Sequence, residues 1–257
     1  MEYVEARRAV IEKRLREVVS AVEPDELEDE LAHVVLAGGK RVRPTLTLLT
    51  CEAAGGSVWA DGDPGDGALG PSGETALDFA VGVELVHNAS LVVDDIIDRS
   101  ELRRGSESAW SAYGHGAALI TSDGLLGEAF ALFSADSRAL ESVSRALVEL
   151  GEGEAVELVD RPASEAEYME LARRKTGALF RTAAELGAIA ADADAATIEA
   201  VGEYAERVGI AFQIRDDVLD AVGEASDLGK PTGHDDEMDR PSIVRVTGED
   251  PAALTEL

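Results

Sequence analysis

At 257 residues the chain is long enough to bury a substantial core within one domain, and a single domain over 1–257 is expected. Its composition, 45% apolar but 4% aromatic and rich in Ala, Leu, Val and Glu, suits helices and speaks against an extensive sheet. A formal charge of -29, from 52 acidic against 23 basic residues, repels other polyanions and excludes nucleic acid as a partner.

The N-terminus MEYVEARRAVIEKRL is charged throughout and has no apolar signal core. No run of eighteen or more apolar residues follows, so a soluble, cytoplasmic protein without an integral membrane segment is expected. Apolar residues from Val4 to Val22 recur near a helical period and predict a first helix over 2–22, ended by Pro24. A second helical run, Leu27 to Leu36, stops at Gly38-Gly39, and a third is predicted from Pro44, since proline suits a first turn. GGKRVRP is then a basic loop between helices. Cys51 lies in that third run and reads as a buried small hydrophobe, since a lone cysteine makes no internal disulfide.

Residues 55–74, GGSVWADGDPGDGALGPSGE, have no apolar period and predict a mobile surface loop. From Thr75 an apolar helix is predicted through Leu85 and Val93, breaking near Arg104-Gly105. Further helices are predicted over Ala117–Phe133, Ser137–Leu158, Glu165–Ala191 and Ala195–Asp220, and the tail after Gly223 reads as loop.

One motif recurs at the C-terminal end of two apolar helices, as Asp94-Asp95-Ile96-Ile97-Asp98 and as Asp216-Asp217-Val218-Leu219-Asp220. Residues four apart share a helix face, so Asp94 pairs with Asp98 and Asp216 with Asp220. Carboxylates at that end oppose the helix dipole and one another, and a hard cation relieves both costs. Oxygen-only ligands point to Mg2+, which binds through a few carboxylates plus substrate phosphates, and argue against zinc. Two such pairs facing each other across a bundle would clamp a diphosphate. Lys40, Arg41, Arg43, Arg103, Arg104, Lys175 and Lys230 lie in turns or at helix ends and supply donors for its oxygens.

Six ordered stretches, GGKRVRP, ELVHNASL, DDIIDRSELRRG, RRKTGALF, GIAFQIRDDVLD and DLGKPTGHD, resemble the trans-isoprenyl diphosphate synthases of the polyprenyl synthetase family up to about residue 241. The resemblance implies an all-α bundle of roughly ten or more helices around a central cavity, the isoprenoid synthase type I fold, working as a homodimer. It implies condensation of an allylic diphosphate with isopentenyl diphosphate, using about three Mg2+ ions per site. Asp94 and Asp98 would hold two of these ions and Asp216 the third, with Asp220 completing the second pair. Arg103, Lys175 and Lys230 would contact the allylic diphosphate. Lys40, Arg43, His87 and Arg104 would hold the diphosphate of isopentenyl diphosphate, and Thr176 and Gln213 would face the reacting carbons.

Product length is expected to depend on Ser90, Ala89 and Val86, within about two turns, or roughly 11 Å, before Asp94. A bulky residue at the Ala89 position shortens the product in the family, so Ala89 implies C20 or longer. The acid-rich, lysine-poor composition, with 4 Lys against 19 Arg, further resembles haloarchaeal proteins.

The chain departs from the family pattern at Val93, where His is frequent, at Ser122, where Gly precedes Asp123, and at DEMDRPS, where a lysine-rich turn is replaced and Arg240 is the substitute. It ends at Leu257, earlier than most members, so the family's closing helices are expected to be absent. Two rival functions remain. A non-catalytic subunit of a hetero-oligomeric synthase has no chemical need for both aspartate motifs, and a class I terpene cyclase shares the fold and the first motif but not GGKRVRP or the second DDxxD.

Overall fold

The computed structural model describes residues 2–62, 68–159, 161–222 and 241–248. They form an all-α fold with one short hairpin, organised as two compact units: residues 1–143 with 182–202, and residues 144–181 with 203–257.

In the first unit, α1 (Glu2–Val19), α2 (Asp25–Val35), α3 (Val42–Ala53) and α6 (His115–Phe133) surround α4 (Gly73–Ile97). α4 is buried nearly all round, from Ala76, Phe79 and Val83 to Leu85, Val86 and Val92, so its residues read as an apolar run rather than an amphipathic stripe. Gly82 lets α6 close on it, because a Cβ there would come 2.4 Å from the Phe133 ring. α4 and α6 are both long and apolar enough to cross a membrane by length and composition, but α4 is mostly enclosed by its own unit.

Two polar clusters join α1 to the core. Arg7 is enclosed: Glu52 takes its Nη2 at 2.5 Å, and its guanidinium stacks 3.4 Å from the Tyr3 ring centroid. Arg41, the residue before α3, has φ 51° and a fully buried guanidinium. It donates to Glu12 at 2.7 Å, Glu84 at 2.7 Å and the Val35 carbonyl at 2.6 Å.

The expected loop over 55–74 is anchored at both described ends. Val58 and Trp59 are buried, Trp59 pairs antiparallel with Leu69, and its Nε1 donates to Glu52 at 2.5 Å. Glycine is required at Gly70 and Gly73, where a Cβ would come 2.4 Å from the Ser57 carbonyl and 2.2 Å from that of Val58. Its low apolar content hid this, since the buried side chains of Val58 and Trp59 and the close backbone approaches at Gly70 and Gly73 hold the described ends without any apolar period.

α4 also ends earlier than expected, at Ile97. Arg99 takes the left-handed conformation (φ 55°), and the Ser100 N–H returns to the Asp95 carbonyl at 2.9 Å while that of Arg99 faces the Ile96 carbonyl at 3.4 Å. This is a Schellman stop with arginine in the place glycine usually takes. The chain then forms a hairpin, β1 (Leu102–Arg103) against β2 (Ser106–Glu107). Its turn residues Arg104 and Gly105 both have positive φ, 53° and 81°, as the mirror-image tight turn demands. α5 (Ala109–Tyr113) follows.

α7 (Ser137–Val159) begins in the first unit and α10 (Ala195–Val222) ends in the second. The second unit also holds α8 (Glu165–Ala172), capped by Ser164, whose Oγ accepts from the Glu167 N–H. What was expected as one helix over 165–191 contains a π turn at Arg173–Gly177 before α9 (Ala178–Ala190). Tyr168, Ala172, Val218 and Ile243 form this unit's core, Ile243 opening the short helix α11 (Ile243–Thr247). The predicted loop thus contains helix at 243–247, whereas Lys230, Arg240 and the DLGKPTGHD stretch lie outside the described residues.

Candidate functional site

In the first unit, residues of three motifs meet on and beside α4. Asp94 stands in its last turn and Asp98 caps it, so the two half-buried carboxylates occupy successive turns at the negative end of the helix dipole. Among the described residues no three His, Cys, Asp or Glu side chains form a preformed metal centre. Two carboxylates per motif suit Mg2+, whose remaining ligands are water and phosphate oxygen. The Schellman stop makes Asp98 the C-cap of α4 and turns the chain towards the hairpin.

Seven residues before Asp94, His87 meets Arg43, whose Nη1 lies 3.2 Å from His87 Nε2. Guanidinium only donates, so Nε2 accepts and the imidazole is neutral. Burial, then the charges of Arg43, Arg104, Arg103 and Arg41, hold its pKa well below the ordinary histidine value. Arg104 donates to the Gly38 carbonyl at 2.6 Å and to Asn88 Oδ1 at 3.3 Å. Gly39 adopts φ 140° beside it, and a Cβ there would stand 3.2 Å from Arg104 Cζ. The glycines of GGKRVRP thus wrap the arginine of the hairpin, which explains why the two motifs go together. Burial and the like charges of Arg41 and Arg103 lower the Arg104 pKa, partly offset by Glu84. A cluster so cationic gains from an anion.

Not every basic residue of these motifs joins that cluster. Lys40 is exposed, and Arg41 is a core residue, correcting the expectation that it meets phosphate. Arg103 forks onto the buried Asp95, Nη2 2.5 Å and Nε 3.0 Å from Oδ1. Of the product-length positions, Val86 and Ala89 are buried and Ser90 is half-buried, its Oγ donating to the His87 carbonyl. Ser122 of α6 donates to the Ala89 carbonyl at 3.3 Å.

In the second unit the π turn presents Lys175 and Thr176. Lys175 lies between Glu154, at 2.8 Å, and Glu157 of α7. Gly153 allows that approach, since a Cβ there would meet Lys175 Cγ at 3.0 Å. Gly177 and Gly209 let α10 press on the π turn; a Cβ at Gly209 would come 3.0 Å from Gly177 Cα. Thr176 Oγ1 donates to Gln213 Oε1 at 2.7 Å. Asp216 is half-buried and Asp220 buried, both on α10.

Sequence reasoning missed Asp217 and Tyr168. Asp217 is buried, accepting from Tyr168 Oη at 2.5 Å, Gln213 Nε2 at 2.8 Å and the Ile243 N–H at 3.0 Å. Its place inside DDVLD was a signal, but Tyr168 lies 49 residues away and gave none. Glu84 and Asn88, both in ELVHNASL, were likewise unassigned.

The polyprenyl synthetase family model matches residues 24–252. The chain is 37% identical over 233 residues to the short chain isoprenyl diphosphate synthase of Methanothermobacter thermautotrophicus, covering 87% of this chain and 67% of that one. It is 31% identical to the geranylgeranyl diphosphate synthase of Methanosarcina mazei, covering 90% and 70% respectively. The chain thus spans about two thirds of the length of these relatives. Among solved structures, a polyprenyl synthase from Caulobacter crescentus CB15, complexed with calcium and isoprenyl diphosphate, superposes with a TM-score of 0.82 at 32% identity, over 95% of this chain and 71% of that one. The fold is that of the isoprenoid synthases, and with motifs, helices and relatives in agreement the chain belongs to the polyprenyl synthetase family.

Proposed function

We propose that this chain is a trans-prenyltransferase that condenses an allylic diphosphate with isopentenyl diphosphate to give an all-trans product of C20 or longer. The observation that carries this reading is α4 itself. This helix carries His87, beside which Arg43 of α3 and Arg104 of the hairpin turn form an anion-seeking cluster, and, about two turns later, the paired carboxylates Asp94 and Asp98.

In this reading His87, Arg43, Arg104 and the exposed Lys40 bind the diphosphate of isopentenyl diphosphate. Asp94 and Asp98, with Asp216 and Asp220, hold Mg2+, in a set of about three ions. Magnesium, when bound, draws charge from the departing diphosphate and eases cleavage of the allylic C–O bond. Arg103, Lys175 and Lys230 assist by donating to the same leaving group. The diphosphate departs with the bonding pair, leaving an allylic cation. Thr176 and Gln213 face that cation and steady it with their oxygen dipoles. The double bond of isopentenyl diphosphate attacks, and the proton then lost from its C2 passes to the released diphosphate, so no separate side-chain base is needed. Support for a metal and a prenyl ligand comes from the Caulobacter relative, whose structure holds calcium and isoprenyl diphosphate.

A homodimer is part of the proposal, supported by Leu119 and Ile120 of α6 and Tyr113 of α5, which stand exposed in the chain alone. Light scattering of the purified protein tests it.

The activity is tested with Mg2+, labelled isopentenyl diphosphate and C5 to C20 primers at high salt, which suits the acidic surface. Elongation to C20 or beyond supports the reading. Diphosphate release without isopentenyl diphosphate would make the protein a cyclase, and inactivity with every primer would make it a non-catalytic subunit.

A further inference from the structure

We infer that Asp217 and Tyr168 are positioning residues that fix the side-chain amide of Gln213 and, through it, the hydroxyl of Thr176. The pair then meets the reacting carbons with oxygen lone pairs foremost. The inference rests on the prenyl-transfer reading above and adds two residues to it.

The chain of contacts is continuous within the second unit. A carboxylate accepts but does not donate, so the end of Gln213 that faces Asp217 Oδ1 at 2.8 Å is its NH2. Its Oε1 must then point the other way, where Thr176 Oγ1 lies 2.7 Å off and donates its only proton. A threonine whose proton is so engaged presents only lone pairs to whatever else it faces. Oxygen lone pairs stabilise a developing cation, whereas an O–H proton aimed at it is repelled.

Asp217 is itself held. Tyr168 Oη donates to its Oδ2 at 2.5 Å and the Ile243 N–H at 3.0 Å, while both Asp217 and Tyr168 are buried. Both oxygens of the carboxylate therefore face donors, and asparagine cannot replace it silently. If the side chain introduced by Asp217→Asn keeps its oxygen towards Tyr168 and Ile243, its NH2 faces Gln213. The amide of Gln213 must then flip, its NH2 turns to Thr176, and the threonine proton is released towards the substrate side. Exchanging one oxygen for an NH2, buried behind the reacting groups, thus reverses the polarity of the residues in front.

The test compares wild type, Asp217→Asn and Tyr168→Phe as full chains with Mg2+, isopentenyl diphosphate and the preferred primer. Asp217→Asn is expected to lower kcat about 10- to 100-fold, with both KM values within about threefold and the Mg2+ titration midpoint unmoved. Tyr168→Phe, which leaves the acceptor in place, should lower kcat by about 3- to 10-fold. Full kcat in Asp217→Asn overturns the inference. So does a shifted Mg2+ midpoint with kcat restored at saturating metal, which would make Asp217 a metal ligand. The second readout needs no turnover: with isotope-labelled glutamine, the Gln213 side-chain amide should exchange slowly with solvent in wild type and faster in Asp217→Asn. Fast exchange in wild type overturns the inference on its own. Slow exchange in a wild type inactive with every primer would defeat the prenyl-transfer reading and leave the geometry of this relay standing.

Discussion

Arg103 grips Asp95, not Asp94 or Asp98, through two donors on one carboxylate, and this ties the hairpin back to the end of α4. The middle acid of the first motif therefore serves the hairpin, while the metal role proposed above falls to its neighbours. Asp95→Asn is expected to raise KM for the allylic substrate about tenfold without shifting the Mg2+ midpoint, because it loosens Arg103 alone. Asp94→Asn should shift the midpoint. Parallel Mg2+ titrations of the two variants check the difference.

Arg41 lies beside Lys40 and Arg43 in the chain but does other work. Its side chain is closed off from solvent and neutralises Glu84, itself buried. Arg41→Leu strands that carboxylate and should cost about 3–5 kcal/mol of stability, measured by denaturant unfolding. Lys40→Ala, at an exposed site, should leave stability unchanged and raise KM for isopentenyl diphosphate.

His87 gives the fold a specific weakness to acid. Its pKa is lowered by folding, so above about pH 6.5 it is neutral in both states and contributes no pH dependence. Below that value the unfolded chain takes up a proton that the folded chain refuses, and stability falls as pH drops towards the folded pKa. The slope from this residue approaches about 1.4 kcal/mol per pH unit. His87→Gln should flatten the decline in melting temperature between about pH 6.5 and about pH 5, where an ordinary histidine takes up its proton.

Ala89 is buried against the α6 side of α4, its carbonyl accepting from Ser122, so Ala89→Phe must displace its neighbours. We expect it to shorten the product and to cost about 1–3 kcal/mol from overpacking. Chromatography of the dephosphorylated products reads the first effect. An unchanged spectrum from a folded variant would remove Ala89 from control of chain length.

Cys51 should resist thiol reagents at about pH 8 until the protein is unfolded. Burial, then the charge of Glu52, pushes its pKa up to about 11, and Gly56 packs closely over its sulfur. Absorbance of a disulfide reagent with and without guanidinium measures this.

Most helices were legible because apolar stretches of helical length stand between recognisable breaks in the sequence. α1, α6, α7 and α10 begin and end within a few residues of expectation. What escaped were features set by one backbone angle. Arg99 ends α4 in a conformation that arginine rarely adopts, so the residue pattern carried the expected helix on to the next glycine. Trp59 and Leu69 join across a segment with no periodicity at all. The site divides in the same way. The family resemblance grouped His87 with Arg43 and Thr176 with Gln213, but it did not separate the cations that face an anion from Arg41, whose partners Glu12 and Glu84 lie 29 and 43 residues distant.

The wide turn at Arg173–Gly177 acts as a phase shifter in the helical screw. Tyr168 and Thr176, eight residues apart, would stand about 80° out of line on an unbroken α-helix. The four more slowly wound residues up to Thr176 remove roughly a fifth of a revolution, and both side chains then reach α10, one turn apart at Asp217 and Gln213. Shortening this stretch by one residue would tighten the screw, leave the helix formally better hydrogen-bonded, and swing the threonine away from the glutamine it has to meet.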